Sequence, residues 1–366
     1  MKAFSHTTFA IALCSSIVQA QLVARNFNTA KTCESRSIFD VLPADDFEPS
    51  DAAWDADSQL LYLVDDSGRL ASIPGHYLRG TDFDSSQEEL GEQNVLSLYT
   101  ANHRDVKMWT VTHGLDLEGC AVDHEFPELV YLGIEEPAEI IAFNVTEGVI
   151  QHRYSVDKSF KDLSLGFTVG GNKLKKHKNN KKKKGAANSG LESLAFYPSP
   201  SPGVPSRILA GRQSDSRVFV FELSSDRKSL QFTGSVKPPG PGRDLSAISV
   251  FLGKVYFVFD KEFEAISVPM RQFEAAIKPS NKLTIGKLKT KEKKPKWTVQ
   301  QYKFDIRGQE GLAFAYSSFA CALGSKGCHG IGETPVVYAI DPPRKPVLEK
   351  DVLVGSFAQL QKCWRV

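Results

Sequence analysis

Past its first twenty positions the chain has no long apolar run, few cysteines and few methionines, and none of the common nucleotide-binding or hydrolase signatures. A membrane-crossing helix needs about 18 or more consecutive apolar residues, so no span is expected. Neither a P-loop nor a dinucleotide glycine fingerprint occurs, and "GVPSRILAGRQ" lacks the required glycine spacing. No G-x-S-x-G elbow is present, which leaves serine-hydrolase chemistry on an α/β scaffold with little support. The six cysteines have no zinc spacing, and the eight histidines form no H-x-x-x-H pair. His103, His113 and His124 lie near acidic residues but read as surface or loop histidines. Helical periodicity is also scarce. Between Trp54 and Asp341 only "VPMRQFEAAI" carries it, so an all-β chain is expected.

The first residues have the form of an export leader: Lys2, the apolar "FAIALCSSIV", then "VQA" before Gln21. Residues 1–20 are therefore read as a signal peptide and 21–366 as one domain, secreted and monomeric. Five cysteines follow the leader. In an oxidising compartment, Cys321 with Cys328 would close a Gly-rich loop, and Cys33 with Cys363 would clasp the chain ends. Cys120, inside "EGCAV", is expected to be a buried free thiol. Asn144-Val145-Thr146 is a glycosylation sequon.

Charge is unevenly distributed. After the leader, 44 Lys and Arg face 43 Asp and Glu. Residues 173–184, "KLKKHKNNKKKK", and 282–296 hold 15 of those lysines and one glutamate, so the remainder has 29 cations against 42 acids, a net −13. These insertions lack interleaved aromatics, which disfavours nucleic-acid stacking or lipid insertion. A polyanionic or phosphorylated ligand is the partner class they suit, the alternative being solvated loops without a partner.

One pattern recurs five times: an acid, a short run with small residues, a turn, and two further apolar runs. It occurs in "EPSDAAWDADSQLLYLVDDSGRLASI", "GLDLEGCAVDHEFPELVYLGIEEPAEIIAFNV", "GLESLAFYPSPSPGVPSRILAGRQSDSRVFVFEL", "DLSAISVFLGKVYFVFDKEFEAISV" and "GQEGLAFA" leading to "TPVVYAID". Aligned on Glu48, Glu118, Glu192, Ser246 and Glu310, the units are spaced 70, 74, 54 and 64 residues apart. Short β-rich runs repeated in this way signal a β-propeller. Six blades are favoured over five, the sixth built from a strand after Cys33 and the final "VLVGSFAQL"; two stacked β-sandwiches are the alternative. In a propeller the first strand of each blade lines the axis, so Glu48, Glu118, Glu192, Asp244 and Glu310 are expected to converge at one mouth. Clustered carboxylates repel unless a cation neutralises them, and hard oxygen donors suit Ca2+. The competing expectation is that each acid caps a strand or pairs with an arginine such as Arg212 or Arg307.

The run "LEGCAVDHEFPELVYLGIEE" resembles the metal-site segment of β-propeller phytases, an EG-x-A-x-D-x-E run followed by "LYIGEE". "EPSDAAWDADSQLLYLVDDSGRL" is similar to that family's D-P-A-x-W segment, with Asp51, Ala52 and Trp54 in place. "GLESLAFYP…ILAGRQSDSRVFVFEL" resembles the next phytase blade, and "DLSAISVFLGKVYFVFD" also resembles SdiA-regulated propellers. The similarity covers roughly residues 45 to 265 and loosely reaches 341. It implies catalytic and calcium-holding roles for Glu118 and Glu136 and support from Glu135, Asp123 and Glu125; Glu192, from the convergent ring, joins them as a main metal-holding acid. For a phosphoester hydrolase, Arg212 and Arg307 are the candidate phosphate grips. The family's NN-x-D-x-R segment has no counterpart, and its DG-rich calcium motif is replaced by "RDLSAISV". A non-catalytic extracellular binding propeller is therefore the second reading.

Overall fold

The computed structural model describes residues 36–37, 46–78, 105–164, 190–199, 203–242, 244–260, 264–279, 296–303, 309–316, 334–340 and 351–356. Within them, nearly all regular structure is antiparallel sheet, arranged as five separate blades. Blade 1 comprises β2 (Pro49–Asp55), β3 (Leu60–Asp65), β4 (Arg69–Pro74) and β5 (Lys107–Thr110); blade 2 comprises β6 (Leu117–Val122), β7 (Leu129–Ile134), β8 (Glu139–Asn144) and β9 (Val149–Ser155). Blade 3 holds β10 (Leu191–Tyr197), β11 (Arg207–Arg212), β12 (Arg217–Leu223) and β13 (Leu230–Val236), with β17 (Lys278–Pro279) added at its rim. Blade 4 is β14 (Leu245–Phe251), β15 (Lys254–Phe259), β16 (Glu264–Pro269) and β18 (Gln300–Lys303). Blade 5 runs β19 (Gln309–Phe314), β20 (Pro335–Ile340), β21 (Asp351–Ser356), and its outermost strand is β1 (Arg36–Ser37).

The expected joining of early and late chain is present: Arg36 pairs with Val354 and Ser37 with Leu353. Among the described residues it completes the fifth blade and builds no sixth, so the favoured count of six is corrected to the five blades seen there. The fifth unit supplies only three strands from the C-terminal part of the chain, and a β-propeller blade needs four. The borrowed strand fills that place. The five innermost strands adjoin one another in a closed ring, β2 to β6 to β10 to β14 to β19 and back to β2.

Each core lies between neighbouring blades. Tyr62, Val64, Cys120, Leu132 and Phe143 fill the space between blades 1 and 2, and Tyr131, Leu194, Phe219 and Phe221 that between blades 2 and 3. Phe257, Phe259 and Phe273 join blades 3 and 4; Phe273 comes from the expected helix, α2 (Met270–Ala276). Phe251 stacks on Phe314 at 4.5 Å between blades 4 and 5. A second helix, α1 (Asp157–Ser164), was not anticipated from periodicity; its Phe160 stacks on Phe219 at 4.1 Å. Among the described residues no helix is long and apolar enough to cross a membrane.

Near the axis the blades approach so closely that a side chain is excluded at Gly311. A Cβ on Gly311 would sit 2.9 Å from Asp51 Cα and from Ala52 N. Backbone cannot yield as a side chain does, so Gly311→Ala is expected to lose about 1–3 kcal/mol by overpacking. Urea unfolding of the variant beside wild type measures this.

Candidate functional site

Each innermost strand breaks register at its second residue. The irregularities fall between Pro49 and Asp51, Leu117 and Gly119, Leu191 and Ser193, Leu245 and Ala247, and Gln309 and Gly311. A bulge re-aims the side chain it carries, and the five bulged residues are Ser50, Glu118, Glu192, Ser246 and Glu310. They form a crown at one mouth of the axis. Its serines face inward on backbone: Ser50 Oγ donates to Leu117 O at 2.5 Å, and Ser246 Oγ donates to Gln309 O at 2.6 Å. Each serine thus ties its blade to the carbonyl just before a bulged glutamate of the next.

The three glutamates supply the charge. Glu118 has its carboxyl pushed well above the usual range, first by burial, then by the charges of Glu192, Glu310, Asp116 and Asp66. Oxygens of Asp66, Asp116 and Glu118 all lie within 4.8 Å of one another, so this trio can share one cation. Asp66 comes from the turn between β3 and β4, and Asp116 lies immediately before β6. Glu135, just after β7, donates its N–H to Asp116 O at 3.2 Å, and its carboxyl hydrogen-bonds Glu192. Burial, Asp116 and Glu136 raise the Glu135 carboxyl, with the Glu192 hydrogen bond acting the other way. Crowding of this kind favours the protonated carboxyls or a neutralising cation.

The structure thus brings together Glu118, Glu135, Glu192 and Glu310 from the expected set, with Glu136 exposed beside Glu135. Glu48 is exposed and precedes the crown position by two residues; Ser50 is the true counterpart. Asp244 likewise lies two residues before Ser246. It is backbone-anchored, donating its N–H to Gln213 O at 2.8 Å and accepting from Asp260 N at 3.1 Å.

Asp123 and Glu125 are corrected more sharply. They lie beyond the far end of β6, where Arg227 Nε donates to Asp123 Oδ2 at 2.6 Å and Nη2 to Glu125 Oε2 at 2.7 Å. Tyr131 Oη also donates to Asp123, at 3.1 Å, and the guanidinium lies 4.4 Å from the Phe126 ring centre. This is a clamp between blades 2 and 3 in which Arg227 supplies the positive charge facing both acids. Arg212 is also structural: it is 2 % exposed, donates from Nε and Nη2 to Asp215 at 2.9 Å each, and donates from Nη1 to Phe160 O at 2.5 Å.

Arg307 and the four cysteines at 33, 321, 328 and 363 lie outside the described residues, as do most of the two Lys-rich insertions. Cys120 is a buried free thiol as expected. Asn144 is buried, and its Oδ1 accepts from the N–H groups of Thr146 and Glu147, so a glycan there would have to be attached before this turn closes.

Asp51, one residue past the crown, is fully buried. Its Oδ1 accepts from Ala52 N at 2.8 Å, while Oδ2 accepts from Cys120 N at 2.9 Å and from Leu194 N at 3.4 Å. Burial drives this carboxyl well above its ordinary value against the pull of those three N–H groups. Beyond Asp51 the axis opens into a cavity of about 50 Å3. Its lining includes Trp54, His124, Phe196 and Tyr316. Tyr316 Oη is 3.3 Å from His124 Nε2, and burial lowers the imidazole pKa.

No family model matches the chain, and no curated protein matches it. Solved structures with some likeness include U3-55K, at 8% identity over 88% of this chain and 98% of that chain, TM-score 0.40. The Myceliophteria thermophila Cps50 (Swd1) β-propeller domain is 4% identical over 84% of this chain and 97% of that one, also at 0.40. Against a chain of the mitotic checkpoint complex, at 12% identity and TM-score 0.33, 58% of this chain covers 47% of that chain. The propeller assignment stands on the closed ring of blades itself.

Proposed function

We propose that this protein is a calcium-binding β-propeller whose acid crown presents the ion to a phosphorylated, polyanionic ligand. The observation that carries the reading is the convergence of Asp66, Asp116 and Glu118 within 4.8 Å, with Glu192 and Glu310 close enough to shift Glu118. The donors are all carboxylate oxygens, a set that suits a hard cation such as calcium and disfavours softer metals. Asp66, Asp116, Glu118 and Glu310 are half-buried and Glu136 is exposed, so the site is open to a ligand from solvent. When bound, calcium would neutralise the crown and polarise a phosphoester oxygen. Glu118 and Glu192 would hold the cation from two blades, and Glu135 would support Glu192 through their hydrogen bond.

The finer reading is an exported, phytase-like phosphoester hydrolase, supported by the leader-like residues 1–20 and the "LEGCAVDHEFPELVYLGIEE" resemblance. A non-catalytic binding propeller is favoured by one observation: the nominated phosphate grip Arg212 is already committed to Asp215 and Phe160. Calorimetric calcium titration of wild type, Glu118→Gln and Glu192→Gln, with phosphate release from phytate in the same buffer, decides among these. Calcium binding weakened about tenfold or more by each substitution is the expected result. Calcium-dependent phosphate release makes the protein an enzyme, and binding without release makes it a binding propeller. Absence of calcium binding overturns both.

A further inference from the structure

The innermost strand of each blade presents its inner backbone edge to the axis, where no further strand can pair with it. Buried N–H groups there need another acceptor. Asp51 supplies it for two blades besides its own: Oδ2 takes the N–H of Cys120 on β6 and of Leu194 on β10. Those two residues lie two positions past Glu118 and Glu192, on the same bulged segments. Blade 5 encloses the group from another side, because its Gly311 lies against Asp51 Cα. At the corresponding place the other inner strands carry Gly119, Ser193, Ala247 and Gly311, all small. The axis therefore has room for one carboxylate, and it comes from blade 1.

We propose that Asp51 is the positioning residue of the acid crown. Gripping the backbone beneath two bulges, it fixes the separation of Glu118 and Glu192 and so sets the crown's affinity for calcium. This rests on the calcium reading above. The carboxylate belongs to blade 1, whose own bulged residue is a serine; blade 1 contributes to the crown through Asp66 and through this bracing from below. Groups that orient metal ligands without touching the ion commonly change affinity about 10- to 100-fold when altered.

The test is calcium calorimetry on the full chain with Asp51→Asn, Asp51→Glu and a control destabilised elsewhere, Arg227→Lys. Both Asp51 variants are expected to bind calcium about tenfold or more weakly, and the control to keep the wild-type Kd while unfolding at lower temperature. The glutamate variant keeps the charge and moves the carboxylate. If it binds as wild type while Asp51→Asn does not, charge alone matters and the positioning role is overturned. Wild-type affinity in both variants overturns it as well. Should neither variant fold, amide exchange in the wild-type protein reads the same link: calcium is expected to slow exchange at Cys120 and Leu194, and unchanged rates overturn the proposal. A wild type that binds no calcium defeats the calcium reading and this inference together, whereas binding by wild type with unaffected Asp51 variants defeats this inference alone.

Discussion

Replacing Arg227 with alanine is expected to cost about 3–5 kcal/mol of folding stability, because it breaks the buried ion pair with Asp123 in the clamp between blades 2 and 3. The Arg227 side chain is 4% exposed and the Asp123 carboxylate 0%. Truncation would leave Asp123 buried with only Tyr131 Oη and local backbone N–H groups to satisfy it. It would also strip the cation from Glu125, which keeps Ser206, and remove the guanidinium from the face of Phe126. The Arg227 carbonyl accepts from Tyr154 Oη, which holds the turn from the blade 2 side. That contact survives in Arg227→Ala, so the loss reads the guanidinium. Urea unfolding measures the loss, and a double-mutant cycle with Asp123→Asn separates the pair's coupling from the cost of an orphaned charge. Calcium affinity is expected to stay at the wild-type value, because the clamp and the crown lie at opposite ends of β6. A change of less than 1 kcal/mol would mean that water or a neighbouring group replaces the guanidinium at little cost.

That geometry also explains what the sequence could and could not reveal. "LEGCAVDHE" looks like one acidic motif, yet Glu118 and Asp123 are five residues apart on an extended strand. At roughly 3.3 Å per residue they are some 16 Å apart, one at each end of the blade. Asp123's real partner is 104 residues away, and no local pattern points to it. The repeat itself was legible, because small residues recur where the blades crowd the axis: "LEGCA", "LESLA", "LSAIS" and "QEGLA". In blade 1 the crown position is Ser50, flanked by Glu48 and Asp51, and an alignment seeking acids lands two residues early. Asp66 escaped notice for a different reason: it sits on a turn and reaches Glu118 only when two blades close together. The blade count failed where a strand from the start of the chain completes the last unit, a pairing over more than 300 residues with two rungs.

In chelator, Glu118→Gln is expected to be more stable than wild type near neutral pH, and in calcium less stable. Burial and the neighbouring acids raise the folded-state pKa of Glu118 above its ordinary value. The folded protein therefore holds this proton more tightly than the unfolded chain does. The stabilisation from that proton is complete below the unfolded carboxylate value and is lost as pH rises through the folded one. Wild type without calcium should thus weaken from the ordinary carboxylate range upward. Glutamine does not titrate and removes part of that slope; Asp51 and Glu135, also raised, leave the remainder. Calcium bound at the proposed site would reverse the order. At a concentration of 100 Kd it stabilises wild type by about 2.7 kcal/mol. A variant binding 10- to 100-fold more weakly at that concentration gains only about 1.4 to 0.4 kcal/mol. Thermal unfolding of both proteins from pH 5 to 8, in chelator and in calcium, should therefore show the two stability orders cross. Parallel pH curves in chelator would mean that Glu118 is not raised by its neighbours. An equal gain from calcium in both proteins would move the ion away from Glu118, leaving the carboxylates of the crown to share protons instead.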